Sequence, residues 1–416
     1  GKYIYADNGS GRVWALSVEE GKATSNEELL SLPVSSKTGI ASVQPDAQGE
    51  PLIVILGETG TTSGTIRRII PANKEDVASS LPQKLSQTGL FADLKTLQPN
   101  PGVIPYEVNA AQSAGAARIR HWMSVPGTGD DPDANIDRIT FHEKAAWTFP
   151  CGTIFIQHFD LPAAGGESWR PVETRVLVRH TGAGVYGLSY RWNDAGDDAQ
   201  LVAQPEVVEM TFSSKNETGE QSWQFFDNQT CLACHNANAG FVLGVTARQL
   251  HHEQEENQLL NLAAQNYFDR GLKNEDLGAW EALVAPGDEH ASLERRARSY
   301  LDVNCSACHR EGGARANYFA EFDHTADAIA LASKPLQGDF GISEAKVVSP
   351  GDPFGSVLYY RMAKLGQGGM PFVGAHQLDT AGLDLIRRWI EEMNAPAESN
   401  PTQRPGSVRQ EEALAQ

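Results

Sequence analysis

Asn304-Cys305-Ser306-Ala307-Cys308-His309 is the stretch on which the reading of this chain turns. Two thiols three residues apart on a helical turn, with an imidazole directly after the second, match the spacing by which a protein attaches c-type haem. The thiols meet the two vinyl groups and the imidazole reaches the iron. Upstream, Ser292 can cap a helix whose Leu293, Ala297, Tyr300 and Leu301 share one face, so a helix over 292–304 is predicted to deliver the motif. About sixty residues downstream stands Gly368-Gly369-Met370-Pro371, where the glycines permit a close loop and the proline forbids a helix. The thioether of Met370 is the expected second axial ligand of the His309 haem. Met362 is the rival, at helical spacing from Leu358 and therefore expected to face the core.

Cys231-Leu232-Ala233-Cys234-His235 repeats the motif. No methionine lies between it and Cys305, so sulfur from its own segment is excluded as a distal ligand. His251, His252 and His290 are the candidates, or the position stays open. The four cysteines Cys231, Cys234, Cys305 and Cys308 are the expected covalent attachment points of two haems, with His235, His309 and Met370 on the irons. Two C-x-x-C pairs could instead build a tetrahedral zinc site of four thiolates, but structural zinc needs neither the trailing histidines nor a Met-Pro loop. The fifth cysteine, Cys151, has no partner left and reads as a buried small hydrophobe.

The remaining sequence bounds what surrounds these motifs. The chain has 416 residues with 34 basic against 53 acidic side chains and a net charge of −19, which offers no basic stripe for phosphates. Nucleic acid is excluded as a partner on that ground. No apolar run approaches the ~20 residues of a spanning helix. The chain opens with Gly1 and shows no signal-peptide pattern, so it reads as a mature or truncated product.

Residues 1–73 alternate in period two between turn signals and read as antiparallel strands. Residues ~72–100 read as a linker opening a β-rich domain over 74–228. In it Val172, Thr174, Val176 and Val178 share one strand face, while Glu173, Arg175 and Arg179 share the other. That domain holds Trp122, Trp147, Trp169, Trp192 and Trp223, either core or a sugar-stacking surface. Helical periodicity marks 229–290, with the first motif, and 291–396, read as a class I-like cytochrome c domain closed by a helix carrying Trp389. Residues 397–416 lack the apolar content for a core and read as a disordered tail. The expected fold class is therefore multidomain, β-rich in its N-terminal part and α-helical, cytochrome c-like, in its C-terminal part.

Together with Pro350-Gly351-Asp352-Pro353, Ser356, Leu358-Tyr359 and Trp389-Ile390, the second motif resembles the cytochrome tails of secreted bacterial proteins that join a quinoprotein sugar-dehydrogenase-like β-propeller to haem. The middle of the chain is similar to the same family in Trp147-Thr148-Phe149-Pro150, Glu173-Thr174-Arg175, Tyr190-Arg191-Trp192-Asn193 with Asp198-Ala199, and Leu243-Gly244 with Arg248-Gln249-Leu250. The opening, Tyr3-Ile4-Tyr5-Ala6-Asp7 with Gly11-Arg12-Val13-Trp14, looks like a last propeller blade. The resemblance implies periplasmic or secreted electron transfer from sugar oxidation, with a dehydrogenase module as donor, a redox protein as acceptor and pyrroloquinoline quinone (PQQ) in the propeller. Some seventy residues supply about one blade where a propeller needs at least four, and Pro51 interrupts what should be a strand. The quinone site is thus missing from this chain and no catalytic residue is carried over. An electron-transfer cytochrome is the leading expectation. A di-haem peroxidase-like enzyme with an open iron at the first site and a carbohydrate-binding β-domain are the alternatives.

Overall fold

Period-two alternation and β-branched side chains produce strands through the first half of the molecule. The computed structural model describes residues 2–19, 21–32, 39–46, 49–57, 63–69, 81–126, 138–180, 184–252, 257–278, 280–313, 318–323, 333–374 and 377–393. β1 (Lys2–Ala6), β2 (Arg12–Glu19) and β3 (Lys22–Ser31) form one antiparallel sheet, and β4 (Ile40–Pro45), β5 (Pro51–Ile55) and β6 (Thr65–Arg68) a second. Val13, Leu32, Ile40, Ile53 and Ile55 make a core common to both. Pro51 opens β5, a position where the missing N–H costs little.

The stretch expected as a linker is instead built into the fold where it is described. β7 (Phe91–Asp93) and β8 (Gln98–Pro99) pair, and Leu85, Leu90, Phe91 and Leu97 are buried. They pack on a six-stranded antiparallel sheet of order β14-β13-β12-β11-β10-β9. Its strands are β9 (Ile104–Tyr106), β10 (Arg118–Ser124), β11 (Ile154–Ala163), β12 (Ser168–Arg179), β13 (Val185–Trp192) and β14 (Ala199–Leu201). One face carries Trp122, Ile156, Val176 and Tyr190 into that core. The opposite face carries Met123, Phe155 and Leu177 into another, completed by Leu232, Leu250, Leu259 and Leu262 from the helical segment. A hairpin of β15 (Glu206–Ser213) and β16 (Thr218–Phe225) packs Phe212, Trp223 and Phe225 against Phe159 of β11.

Four of the five tryptophans of this region are therefore core: Trp122, Trp147, Trp192 and Trp223 are all buried. Only Trp169 is exposed, and the Arg118 guanidinium covers its ring at 4.3 Å. A platform of stacked tryptophans for sugar rings is not present among them.

The expected α-helical cytochrome c domain is not found. The molecule is β-rich, with 33% of the described residues in strands and 19% in helices, and the described helices are short. They are α1 (Asn228–Cys234), α2 (Ala247–Leu250), α3 (Gln258–Ala264), α4 (Asn274–Leu277), α5 (Leu293–Cys305), α6 (Val357–Met362) and α7 (Thr380–Glu392). Ser292 caps α5 as expected, accepting from the Arg295 N–H. α7 lies against α5 through Ala297, Tyr300, Leu301, Ile386 and Trp389. Between them, however, the described chain is mostly loop. Glycines at positive φ (Gly312, Gly338, Gly341, Gly351, Gly366, Gly368, Gly374) and prolines at 335, 350, 353 and 371 recur too often for long helices. Helical periodicity identified three isolated segments, and the domain inferred from them was too large. The tail expected to be disordered, 397–416, lies outside the described residues. No helix among the described residues is long and apolar enough to cross a membrane.

One buried network sets how this sheet responds to acid. Trp192 Nε1–H donates to Thr174 Oγ1 at 2.9 Å, and Thr174 shares a 2.8 Å bond with His158 Nδ1. His158 Nε2–H donates to Asp160 Oδ1 at 3.0 Å, and Arg118 and Arg120 donate to Asp160 Oδ2. Burial holds His158 below its ordinary pKa and therefore neutral. Burial alone would raise Asp160, but His158 and the two arginines outweigh it and hold the carboxyl below the usual range. Both folded pKa values are depressed, so both contributions are present above the unfolded values and are lost as pH falls. The melting temperature should fall as pH drops below ~6.5, where an unfolded His gains its proton, and more steeply below ~4, where an unfolded Asp does. Asp160→Asn should remove the steeper part. A melting temperature flat from neutral pH to about 3.5 would contradict this.

Candidate functional site

Asp227 caps α1, its carboxylate accepting from the Thr230 N–H, and α1 carries Cys231 and Cys234 across β13. The approach is close because position 187 is glycine: a Cβ there would stand 2.5 Å from Cys231 Cβ and 2.6 Å from its Sγ. His235 ends the helix, and its Nδ1 bonds the Phe241 carbonyl at 2.8 Å. That bond places the proton on Nδ1 and leaves the Nε2 lone pair for a Lewis acid. Burial lowers the His235 pKa, with the Phe241 carbonyl opposing, so the ring is neutral as a ligand requires.

The second motif ends α5. The His309 backbone carbonyl accepts from the Ala320 N–H at 2.8 Å, and its ring lies 5.0 Å from the Tyr318 ring. Burial lowers its pKa as well, with the Tyr318 backbone opposing. His309 Nδ1 is buried without a hydrogen-bond partner, as is the Tyr318 hydroxyl.

The sequence did not reveal that the two motifs meet. The side chains of Cys234 and Cys308, seventy-odd residues apart in the chain, come close enough for each thiol to perturb the other. Their interaction favours the proton on Cys234, holding that thiol above its ordinary pKa and Cys308 below it. Burial pushes Cys231 and Cys305 up to about 12. Asn238 Nδ2 also donates to the Gly312 carbonyl at 2.7 Å, tying the loops beyond both motifs together. All four are free thiols, and Cys151, expected to be buried, is exposed on a turn.

Both motifs open on a cavity of about 920 Å³, near the top of the ~300–1,000 Å³ range of drug-sized ligand sites. Its floor is the six-stranded sheet. Cross-strand pairing aligns Tyr106, His121, Gln157, Arg175 and Ser189 in one row over β9 to β13, and the first four line the cavity. Arg175 donates to Glu173 Oε2 at 2.8 Å and lies 3.9 Å over the Phe226 ring, but its Nε is buried without a partner. Met370 and Met362 also line the cavity. The Met370 loop is held twice: the Met370 N–H donates to the Arg361 carbonyl at 2.8 Å, and the Gly374 N–H to Gln224 Oε1 at 3.1 Å. Met362 also packs against the α5–α7 core, as its helical spacing suggested.

His251, His252 and His290 are not brought to the cavity. His251 is buried and bonded to Asn257, His252 is bonded to Gln258, and His290 is exposed. Among the described residues no three His, Cys, Asp or Glu side chains converge to hold a metal ion. A four-thiolate zinc site needs such convergence. A haem iron does not, because the macrocycle supplies four nitrogens and the protein only one or two ligands. The free thiols, the neutral His235 with Nε2 available and the orphaned Arg175 Nε fit a flat, partly anionic group of that kind. Neither a protein-family model, nor a curated protein, nor a solved structure matches this chain.

Proposed function

We propose that the chain is a di-haem c-type electron-transfer protein, with one haem on Cys231, Cys234 and His235 and the other on Cys305, Cys308, His309 and Met370. The contact between Cys234 and Cys308 inside one cavity carries this reading. Covalently attached haem supplies a one-electron Fe(III)/Fe(II) couple at each motif. The polypeptide does the rest by holding the two attachment points together and keeping both imidazoles neutral. Arg175 sets a partly buried cation beside the first motif, which suits the carboxylates of a haem edge and favours the reduced iron.

The partners follow from the resemblance and the charge: a sugar-oxidising quinoprotein dehydrogenase as donor, its PQQ outside this chain, and a redox protein as acceptor. Thioether attachment occurs outside the cytoplasm, so the location proposed is periplasmic or secreted.

Haems this close interact electronically. The mature protein should show a bisignate Soret circular dichroism couplet and two one-electron steps on potentiometric titration. Gly187→Val, which drives a branched side chain into Cys231, should cut covalent haem from two to one and collapse the couplet to a single sign. A two-haem protein with a single-signed Soret band would contradict the shared cavity.

A further inference from the structure

We propose that His121 is the second axial ligand of the haem attached at Cys231 and Cys234, an inference that rests on the reading of that motif as a haem site. His121 stands on β10, in the cross-strand row that forms the cavity floor, two strands from Arg175. At ~4.8 Å per strand that is roughly 10 Å. Arg175 lies close enough to Cys231, Cys234 and His235 to shift all three electrostatically, so its row runs beside the first motif. α1 sits over Gly187 at one end of the floor and His121 lies toward the other. A macrocycle held by α1 would extend between them over Arg175 and Gln157.

The chemistry of the ring suits the role. The Gln157 side-chain amide lies 3.3 Å from His121 Nε2 and donates to it, so the lone pair is on Nε2. Iron would take the place of that N–H, one electron-pair acceptor for another, with no proton released. Tyr106 stacks on the imidazole with centroids 5.2 Å apart and planes inclined by 29°, fixing its orientation. No carboxylate is bonded to the ring among the described residues, and burial holds it neutral, with a pKa of about 4. Of the two methionines that line the cavity, Met362 packs against the α5–α7 core and Met370 is the ligand assigned to the His309 haem, while Met123 is fully buried. With His121 bound, the first iron has no open position and the peroxidase-like alternative loses its premise.

The test uses the mature, haem-loaded chain. Its ferric electron paramagnetic resonance and near-infrared spectra should contain one bis-imidazole low-spin haem beside one His/Met haem. His121→Ala should keep two covalent haems while converting one of the two to a high-spin form that binds cyanide readily, and added imidazole should restore it. His290→Ala should change nothing. A wild-type protein with two haems and no bis-imidazole signal overturns the proposal whether or not any variant folds. So does a two-haem His121→Ala protein with unaltered spectra. A wild-type chain with no covalent haem would instead refute the underlying haem reading, and the proposal with it.

Discussion

Arg175→Met should cost about 3–5 kcal/mol of folding stability, the range found when one partner of a buried ion pair is removed. Glu173 is fully buried, and its carboxylate accepts from Arg175 at 2.8 Å, from Trp223 Nε1 at 2.9 Å and from Ser189 Oγ at 2.5 Å. Without the guanidinium the charge is left in a low-dielectric site with two neutral donors. The double variant Glu173→Gln/Arg175→Met should recover much of the loss, because the uncompensated charge is gone. Denaturant unfolding of the three variants against wild type measures both terms. A single-variant loss below about 1 kcal/mol, the scale of an exposed pair, would show that Arg175 does not neutralise Glu173. In haem-loaded protein the same substitution should lower the potential of the first haem more than that of the second.

Met370→His should separate the two haems most widely. Histidine is a stronger donor toward Fe(III) than a thioether, so the His309 haem should fall by on the order of 0.2 V, within the ~0.8 V that axial ligands span. The His235 haem should barely move. The loop tolerates the exchange because its backbone is fixed independently of the side chain. Arg361 Nη1 donates to the Gly368 carbonyl at 3.0 Å, and Gly369 permits an approach to the Lys364 carbonyl that a Cβ would block at 2.1 Å. The weak red absorption of sulfur-bound ferric haem should be present in wild type and absent in the variant. If it survives Met370→His and disappears in Met362→Leu, Met362 is the ligand.

The parts legible in sequence were those whose chemistry is contiguous. Each C-x-x-C-H motif, the Ser292 cap and the Gly-Gly-Met-Pro loop lie within a few residues of chain. The meeting of Cys234 with Cys308 was not legible, because it depends on α1 crossing β13 at Gly187 and α5 ending beside it. His121 escaped notice for a similar reason: the floor takes one residue from each strand, and only pairing register reveals the row. Alternation along β12 correctly divided Val176 from Arg175, but the polar face turns to the cavity and a buried carboxylate rather than to solvent. The helical domain was overread because isolated amphipathic segments look alike whether they pack mainly on each other or also on a sheet. Leu232, Leu250 and Leu259 share their core with Met123 and Leu177 of the sheet.

Intact-mass spectrometry of the chain matured in an oxidising compartment with a haem-attachment system tests the central claim most directly. Two haem increments on the polypeptide, falling to one in Cys231→Ser/Cys234→Ser and in Cys305→Ser/Cys308→Ser, are the result predicted. A mature chain carrying no haem mass would contradict it.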